Sequence, residues 1–287
     1  MRLTVKLFVL IFLCVVVSCK KKDVKPSATS TELELKDVAY GTDALQNMDV
    51  YLPANRSTNN TKVVILIHGG SWTSGDKSEF TDAVTLMKTQ LADYAIFNIN
   101  YRLATISGTN IWPVQLTDVN AACNFIQSKA AEYAINTNKM VVFGASAGAH
   151  LALLQGYQNN ADKKIKAVVD LFAPTDLADL YNRPSDPNYP ALLSIFLNGT
   201  PTTNSTAYRN SSPLFSVNNT VPPTIIFHGT ADNIVPIRQS DSLNNRLAVA
   251  GVTKQYVTYA GEGHGWVGIN LLDTFSKIIS FITANNP

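Results

Sequence analysis

The sequence predicts an α/β protein in which a mostly parallel sheet of about eight strands carries helices on both faces. Short, almost uninterrupted apolar runs alternate with longer helix-forming stretches along most of the chain, as a doubly wound sheet requires. Several of these runs are rich in Val and Ile, which is typical of parallel strands buried on both faces. With 287 residues and 46% hydrophobic content, the chain can bury the core that such a sheet needs.

The N-terminal residues indicate export. Residues 1–18 contain two basic residues followed by the apolar run 7–17, which is too short to span a bilayer as a helix and is typical of a signal peptide. Cys19 follows a small residue at the end of this run, as in the bacterial lipoprotein box. We therefore expect Cys19 to be lipidated and to anchor the protein to a bacterial membrane, on the periplasmic or cell-surface side. An ordinary secretory signal is the alternative.

Residues 19–31 are first charged and then rich in Pro, Ser and Thr, which predicts a flexible tether before a domain at 32–287. Six of the 23 basic residues and one of the 21 acidic residues precede Pro26. This leaves 17 basic against 20 acidic residues, so the domain has no basic excess and we expect no nucleic-acid partner. Cys123 is expected to be a buried helix residue.

Eight segments of the domain have the pattern of strands. Two alternating segments open the sheet, and the later ones are continuous apolar runs. The predicted strands are 32–40, 48–52, 62–68, 95–100, 140–143, 165–172, 224–228 and 255–259. Helices are predicted at 79–91, from the loop at Pro113 to about 131, after residue 148, and at 271–284.

Residues 174–223 interrupt this alternation. Asn, Ser, Thr and Pro crowd the stretch, and its one apolar island is at 191–197. We interpret it as a polar insertion that carries a short helix.

The segment 139–154 carries the strongest chemical motif. Its apolar residues 140–143 lead into Gly-Ala-Ser-Ala-Gly at 144–148 and then into a helix, so that Ser146 lies on a strand-to-helix turn. Small flanking residues are needed because strand and helix approach closely at so sharp a turn. Such a nucleophile elbow lifts the hydroxyl above the sheet edge, near the positive end of the following helix. Ser146 is therefore the candidate nucleophile.

Residues 68–72, His-Gly-Gly-Ser-Trp, directly follow the predicted strand 62–68. Glycines at this place allow backbone N–H groups to point into a cleft. An oxyanion hole needs such fixed donors where negative charge develops on a tetrahedral intermediate.

A serine nucleophile needs a base, and His264 fits this role. It lies in a glycine-rich loop after the last predicted strand, from which an imidazole can reach Ser146. His68 belongs to the glycine loop, His150 is expected to pack or form a hydrogen bond in the elbow helix, and His228 ends a strand.

Two aspartates compete for the role of orienting His264. Asp232 lies just past the predicted strand 224–228 and precedes His264 by 32 residues, in the chain order Ser, Asp, His. Asp176 follows the preceding strand, but it also suits the N-cap of a short helix. We favour Asp232.

From about residue 36 to its end, the chain resembles the α/β-hydrolase superfamily. It is most similar to the bacterial carboxylesterases related to hormone-sensitive lipase and to the feruloyl/acetylxylan-esterase-like group. The matching motifs are residues 68–72, Asn-Tyr-Arg-Leu at 100–103, residues 144–148, Gly-Thr-Ala-Asp at 229–232 and Gly-His-Gly at 263–265. The resemblance implies oxyanion donors at the backbone N–H groups of Gly70, Ser71 and Ala147. Ser71 stands where relatives of hormone-sensitive lipase usually carry a third glycine, which favours the second group.

The combined expectation is a lipid-anchored serine carboxylesterase that needs no metal and no cofactor. Trp72 and Trp266 are expected to border the mouth of the site unless they turn into the core, and the insertion lacks the long apolar helix of a lipase lid. Aromatic walls with polar neighbours favour short-acyl or hydroxycinnamoyl esters, either small or attached to carbohydrate. An arylformamidase or peptidase on the same fold and a non-catalytic surface binding protein are the alternatives. No particular oligomeric state is predicted.

Overall fold

The computed structural model describes residues 30–287. The predicted signal peptide 1–18, Cys19 and all but the last two residues of the predicted tether 19–31 lie outside the described residues. Within residues 30–287, the structure contains a sheet of eight strands in the order β1-β2-β4-β3-β5-β6-β7-β8. β2 is antiparallel to both of its neighbours, and all other pairs are parallel. The predicted mostly parallel eight-stranded sheet is confirmed.

The strands agree with the predicted segments to within a few residues at each end. They are β1 Leu33–Ala39, β2 Asn47–Leu52, β3 Lys62–Ile67, β4 Tyr94–Ile99, β5 Met140–Ala145, β6 Ile165–Leu171, β7 Thr224–Gly229 and β8 Lys254–Tyr259.

Helices fill most of the connections between the strands. They are α1 Thr81–Gln90, α2 Val114–Ser128, α3 Ala130–Tyr133, α4 Ala147–Gln158, α5 Leu177–Asn182, α6 Tyr189–Phe196, α7 Ser205–Asn210, α8 Arg238–Val249 and α9 Gly268–Asn285. Two 3-10 helices, Lys77–Phe80 and Pro213–Ser216, complete the set for the described residues. None of the helices in residues 30–287 is both long and apolar enough to cross a membrane.

The sheet separates two hydrophobic cores. Alternate residues of a strand point to opposite faces, so that β3 sends Val63, Ile65 and Ile67 into one core and Val64 and Leu66 into the other. Helices α2, α4 and α8 cover the first face, whereas α1 and α9 cover the second. Because both faces are covered, the central strands are mostly apolar.

The sheet register brings the carboxyl ends of the six parallel strands, β3 to β8, to one edge. Ile67 of β3 lies opposite Ile99 of β4 and Gly144 of β5, and β6 links the end of β5 to the end of β7. β8 ends beside β7, at Tyr259. The loops that follow β3, β5, β7 and β8 therefore meet at this edge, which we call the carboxyl edge.

The chain enters the domain at the opposite edge. The Ser30 carbonyl accepts a hydrogen bond from the Asn55 N–H at 2.8 Å, and the Ser30 hydroxyl accepts one from the Arg56 N–H at 3.0 Å. Both donors follow β2, which runs antiparallel to β4 and so ends where β4 begins. A strand of six residues is about 20 Å long, so roughly this distance separates the entry point from the carboxyl edge.

The structure differs from the predicted elements in two places. The insertion 174–223 carries three α-helices and the 3-10 helix Pro213–Ser216, where one short helix was predicted. Of these, α6 covers most of the predicted helix at 191–197. Helix α8, which was not predicted, follows the loop after β7.

Candidate active site

Ser146 occupies a strained turn between β5 and α4. Its backbone angles, φ 53° and ψ −119°, are rare for a residue with a side chain. Residues held in such regions cost on the order of 1–3 kcal/mol each. The neighbouring strand stabilises the turn, because the Ser146 N–H donates to the Leu171 carbonyl at 2.8 Å.

The two glycines of the motif are sterically required. A Cβ atom on Gly144 would lie 2.2 Å from the carbonyl carbon and oxygen of Gly148. One on Gly148 would lie 2.0 Å from the Ile67 carbonyl oxygen. Since α4 crosses this close to β3 and β5, only hydrogen fits at either position, as the sequence pattern predicts.

The structure brings Ser146, His264 and Asp232 into one chain of hydrogen bonds. His264 Nε2 lies 2.9 Å from the Ser146 hydroxyl oxygen, and His264 Nδ1 lies 2.7 Å from Asp232 Oδ2. Ser146 is 8% exposed, and the His264 side chain is 15% exposed. This is the geometry in which an imidazole takes the proton of a serine hydroxyl while a carboxylate holds the opposite ring nitrogen.

Asp232 is held as an anion. Burial by itself would raise the pKa of this carboxyl group, but hydrogen bonds from His228 and His264, and the N–H of Ile234, lower the pKa far below its ordinary value. Its Oδ1 atom accepts from the Ile234 and Val235 N–H groups at 2.8 and 3.0 Å. Asp232 therefore presents a fixed, charged oxygen to His264 Nδ1.

Asp176, the alternative acid, has the local role that the sequence suggested. It is the N-cap of α5, and its Oδ1 accepts from the Asp179 N–H at 3.0 Å. It is Asp232 that accepts from His264.

The glycine loop after β3 lies directly beside Ser146. Gly70, Ser71 and Trp72 all have positive φ, at 95°, 51° and 63°. A Cβ atom on Gly69 would lie only 3.5 Å from Ser146 Cβ. Such close approach of the loop backbone to Ser146 is what an oxyanion hole requires.

The predicted oxyanion donors remain available. Within residues 30–287, the N–H groups of Gly70 and Ser71 donate no hydrogen bond. Ala147 is the first residue of α4, where an N–H group has no partner within the helix. The dipole of α4 also favours negative charge at this end.

Tyr101 holds the carbonyl side of the glycine loop. Its hydroxyl group donates to the His68 and Gly69 carbonyls at 3.0 and 2.9 Å, and its ring stacks on the His68 imidazole at 4.3 Å. Next to it, Arg102 forms a bidentate ion pair with the buried Asp118. The Asn-Tyr-Arg-Leu motif thus fixes the glycine loop, because Tyr101 holds the His68 and Gly69 carbonyl groups. The Gly70 N–H points away from Tyr101, since the C=O and N–H groups of one trans peptide point in opposite directions.

His150 connects three parts of the site. Its Nδ1 accepts from Trp72 Nε1 at 3.2 Å, and its Nε2 donates to the Ser211 carbonyl at 2.6 Å. The expected hydrogen-bonding role of His150 is confirmed. This buried imidazole links the glycine loop, helix α4 and the insertion.

The two tryptophans turn into the core, so the expectation that they border the mouth of the site is wrong. Trp72 is 1% exposed and stacks on Phe196 of the insertion at 4.6 Å. Trp266 is also buried, and its Nε1 donates to Thr274 of α9. The ring that contacts His264 belongs to Phe172, at a centroid distance of 4.5 Å.

Three further residues lie at the site without having been predicted there: Phe172, Tyr189 and His228. The Tyr189 hydroxyl lies 3.5 Å from the Ser71 hydroxyl, and Phe172 packs on His264. Since these contacts join distant parts of the chain, a local motif carries no signal for them. His228 stands in a His-Gly-Thr-Ala-Asp segment, and its distance of four residues from Asp232 was a usable signal.

An apolar cavity of about 220 Å³ adjoins the glycine loop. It lies between α6 and the loop after β4, and its lining includes Thr73, Ile106, Leu192, Ile195 and Phe196. Ile106 is 88% exposed, so the cavity opens to solvent at this side chain. A larger cavity of about 490 Å³ lies around Tyr51 and Tyr94, near the edge where the chain enters the domain.

The described residues contain no group of three or more His, Cys, Asp or Glu side chains that could hold a metal ion. The expectation of a reaction without metal or cofactor stays a prediction.

Comparisons with known proteins place this geometry in a family context. The sequence model of the BD-FAE family matches residues 48–247. The chain is 28% identical over 249 residues to esterase LipC of Mycobacterium tuberculosis (strain ATCC 25618 / H37Rv), covering 82% of this chain and 60% of LipC. It covers 53% and 55% of two further mycobacterial relatives, so it spans little more than half the length of these curated proteins.

Two solved structures are also similar to this chain. A truncated form of a carbohydrate esterase from gut microbiota has a TM-score of 0.77 at 25% identity, covering 91% of this chain and 99% of that one. The bifunctional GH43-CE of Bacteroides eggerthii has a TM-score of 0.76 at 27% identity, covering 88% of this chain and 38% of that one. The predicted α/β-hydrolase fold is confirmed.

Proposed function

Because the chain belongs to the BD-FAE family, whose sequence model matches residues 48–247, we propose that it is a serine carboxylesterase. The observation that carries this proposal is the hydrogen-bonded chain from Ser146 through His264 to Asp232. It lies beside a loop in which the N–H groups of Gly70 and Ser71 donate no hydrogen bond within residues 30–287. The similarity to esterase LipC supports the same reaction class.

The first half of the proposed reaction transfers the acyl group to the protein. Ser146 Oγ attacks the ester carbonyl carbon while its proton passes to His264 Nε2. The oxygen of the tetrahedral intermediate accepts hydrogen bonds from the N–H groups of Gly70, Ser71 and Ala147. His264 then protonates the leaving alkoxide, and the carbon–oxygen bond of the ester breaks to give an acyl-serine and a free alcohol.

The second half reverses these roles with water. Water attacks the acyl carbon and gives a proton to His264 Nε2, and the same N–H groups stabilise the second oxyanion. When the bond to Ser146 Oγ breaks, this oxygen recovers the proton and the carboxylic acid leaves. Asp232 stays ionised throughout and stabilises the imidazolium form of His264.

We further propose short-acyl or hydroxycinnamoyl esters, including those on carbohydrate, as substrates. The apolar cavity of about 220 Å³ supports a small acyl group, because an engineered cavity of roughly 150 Å³ already holds benzene. The likeness to a carbohydrate esterase from gut microbiota supports the carbohydrate part of the substrate. Trp72 and Trp266 do not support this substrate class, because both are buried.

The experiment compares kcat/KM for acetylated xylan, methyl ferulate and p-nitrophenyl esters with acyl chains of two to sixteen carbons. Ser146→Ala serves as the control and should lose on the order of 10⁴- to 10⁶-fold in kcat, because members of such a triad act as a unit. We expect the highest kcat/KM on short or aromatic acyl groups. A maximum at ten carbons or more would contradict this substrate class, whereas turnover by Ser146→Ala above a few per cent of wild type would contradict the mechanism.

Lipid anchoring at Cys19 is proposed from the sequence alone. The entry of the chain at the edge opposite Ser146 is compatible with a tether that holds the carboxyl edge away from the membrane. Intact-mass analysis of the membrane fraction should find a mature chain that begins at an acylated Cys19, and Cys19→Ala should release the protein or block its maturation. An unmodified Cys19 in that fraction would disprove the anchor.

A further inference from the structure

His228 brings a second imidazole to the acid of the site. Its Nε2 lies 3.2 Å from Asp232 Oδ2, the same oxygen that accepts from His264 Nδ1 at 2.7 Å. The side chains of His228 and Asp232 are both fully buried. Two histidines therefore meet on one carboxylate oxygen, and the serine chemistry uses only one of them.

The surroundings of His228 fix where its proton lies. Nε2 is also 2.8 Å from the Val235 carbonyl oxygen, which can only accept. Because the ionised Asp232 can also only accept, Nε2 must carry a hydrogen and share it between these two oxygens. Nδ1 lies 2.7 Å from the Ser240 hydroxyl of α8, which can rotate to donate or accept as the ring requires.

This arrangement gives Asp232 a complete set of donors. Its Oδ1 receives the N–H groups of Ile234 and Val235, and its Oδ2 receives the two imidazoles. A carboxylate without the His228 donor would be more basic and freer to rotate. The other titratable group that faces His228 is the buried Asp170 of β6.

We propose that His228 is a positioning residue for the esterase reaction: it holds Asp232 ionised and in the rotamer that orients His264 towards Ser146. The inference rests on the proposed function for its effect on turnover. The effect of His228 on the basicity of Asp232 can be measured without a substrate, through the titration of His264.

The test compares His228→Leu, which removes the donor, with His228→Gln, which places an amide N–H near the position of Nε2. In His228→Leu the more basic Asp232 should hold the proton on His264 more strongly. The acidic limb of the kcat/KM profile should then move to higher pH, by about half a pH unit or more. We expect kcat/KM itself to fall roughly 10- to 100-fold, as for loss of a hydrogen bond to a charged group, and His228→Gln to restore most of both effects.

Tyr157→Phe is a matched control, because Tyr157 lies in α4 and contacts β7, the strand that carries His228. Its hydroxyl pairs with the Thr224 hydroxyl at 2.8 Å, at the far end of β7, and both residues are buried. This change removes a buried hydrogen bond without touching Asp232. It should lower stability and leave the acidic limb in place.

NMR titration of the His264 imidazole, in protein with isotope-labelled histidine, separates the inference from the proposed function. If the wild type hydrolyses no ester, the proposed function fails, yet the His264 titration midpoint should still rise in His228→Leu. A midpoint in His228→Leu equal to that of the wild type overturns the inference even when the esterase activity is established. If His228→Leu does not fold, Ser240→Ala decides by the same criterion, with a smaller shift in the same direction.

Discussion

At the scale of single residues, Asp232 depends on the pattern of hydrogen bonds that it accepts. All of its partners in the site donate: two backbone N–H groups reach Oδ1, and His264 Nδ1 and His228 Nε2 reach Oδ2. An Asn at this position can still accept on one atom, but it must present an amide nitrogen on the other. The side chain would then be matched to the two backbone donors and mismatched to His264.

Asp232→Asn should therefore reduce kcat by about 10⁴-fold. The amide would donate to His264 Nδ1, so that the neutral imidazole carries its hydrogen on Nε2. An Nε2 atom that already carries a hydrogen cannot accept the proton of the Ser146 hydroxyl. Steady-state kinetics at equal folded fraction measures this effect.

Asp176→Asn is the matched control for that prediction. Asn caps a helix about as well as Asp, so α5 should keep its N-cap, and both kcat and the unfolding midpoint should stay close to wild type. A larger loss of kcat from Asp176→Asn than from Asp232→Asn would reverse the assignment of the acid.

At the scale of elements, the sequence predicted the parts of the site that local sterics dictate. A Cβ atom on Gly144 or Gly148 would lie 2.0–2.2 Å from backbone atoms, so the elbow must have this pattern, and the pattern can be recognised without a structure. The continuous apolar strands are equally readable, because a strand buried on both faces is mostly apolar. The order of the strands within the sheet depends on contacts between distant parts of the chain, and no local pattern predicts it.

Helix α8 was missed because its buried face is half polar. Leu243 and Leu247 point inwards, but so do Gln239 and Ser240. Gln239 accepts from the N–H groups of Thr175 and Asp176, and Ser240 pairs with His228. These polar residues serve tertiary hydrogen bonds, and they weaken the apolar periodicity that predicts a helix.

The direction of Trp72 could not be predicted for a related reason. Its ring is fixed by Phe196, which lies far along the chain in the insertion, and by the Nδ1 atom of His150. Which side of the glycine loop the indole occupies is a property of the packed insertion. The sequence of residues 68–72 therefore does not predict the direction of the Trp72 side chain.

At the scale of the whole molecule, three buried titratable groups make stability depend on pH. Burial lowers the pKa of His68 and of His150 to about 4, from 6.5, although each has one hydrogen bond that favours its charged form. Burial raises the pKa of Asp170 from 3.8 to about 7, against the hydrogen bond from the Ala173 N–H and the field of His228. Between pH 6.5 and 4, the unfolded chain thus binds one more proton at each histidine, whereas the folded chain binds one more at Asp170.

The balance of these groups sets the sign of the pH dependence. The unfolded state holds a net excess of one proton in this window, so the free energy of unfolding should fall as the pH falls, by about 1.4 kcal/mol per pH unit. Below pH 4 the decline should continue, because Asp76, whose pKa is lowered to about 2, and Asp49 are ionised in the folded state and protonated in the unfolded one.

Asp170→Asn tests this balance, because it removes the one group that opposes the two histidines. The unfolded state should then hold an excess of about two protons between pH 6.5 and 4, and the slope of the unfolding free energy against pH should rise to about 2.7 kcal/mol per pH unit. His150→Leu should have the reverse effect and leave the slope close to zero. Urea unfolding of the three proteins at several pH values from 7.5 to 4.5 gives the slopes.

The amide of Asp170→Asn does not titrate, and Oδ2 of Asp170 has no hydrogen-bond partner within residues 30–287 that an amide would lose. Any other change in the free energy of unfolding is therefore the same at every pH. Equal slopes for the wild type and Asp170→Asn would show that Asp170 does not bind a proton on folding.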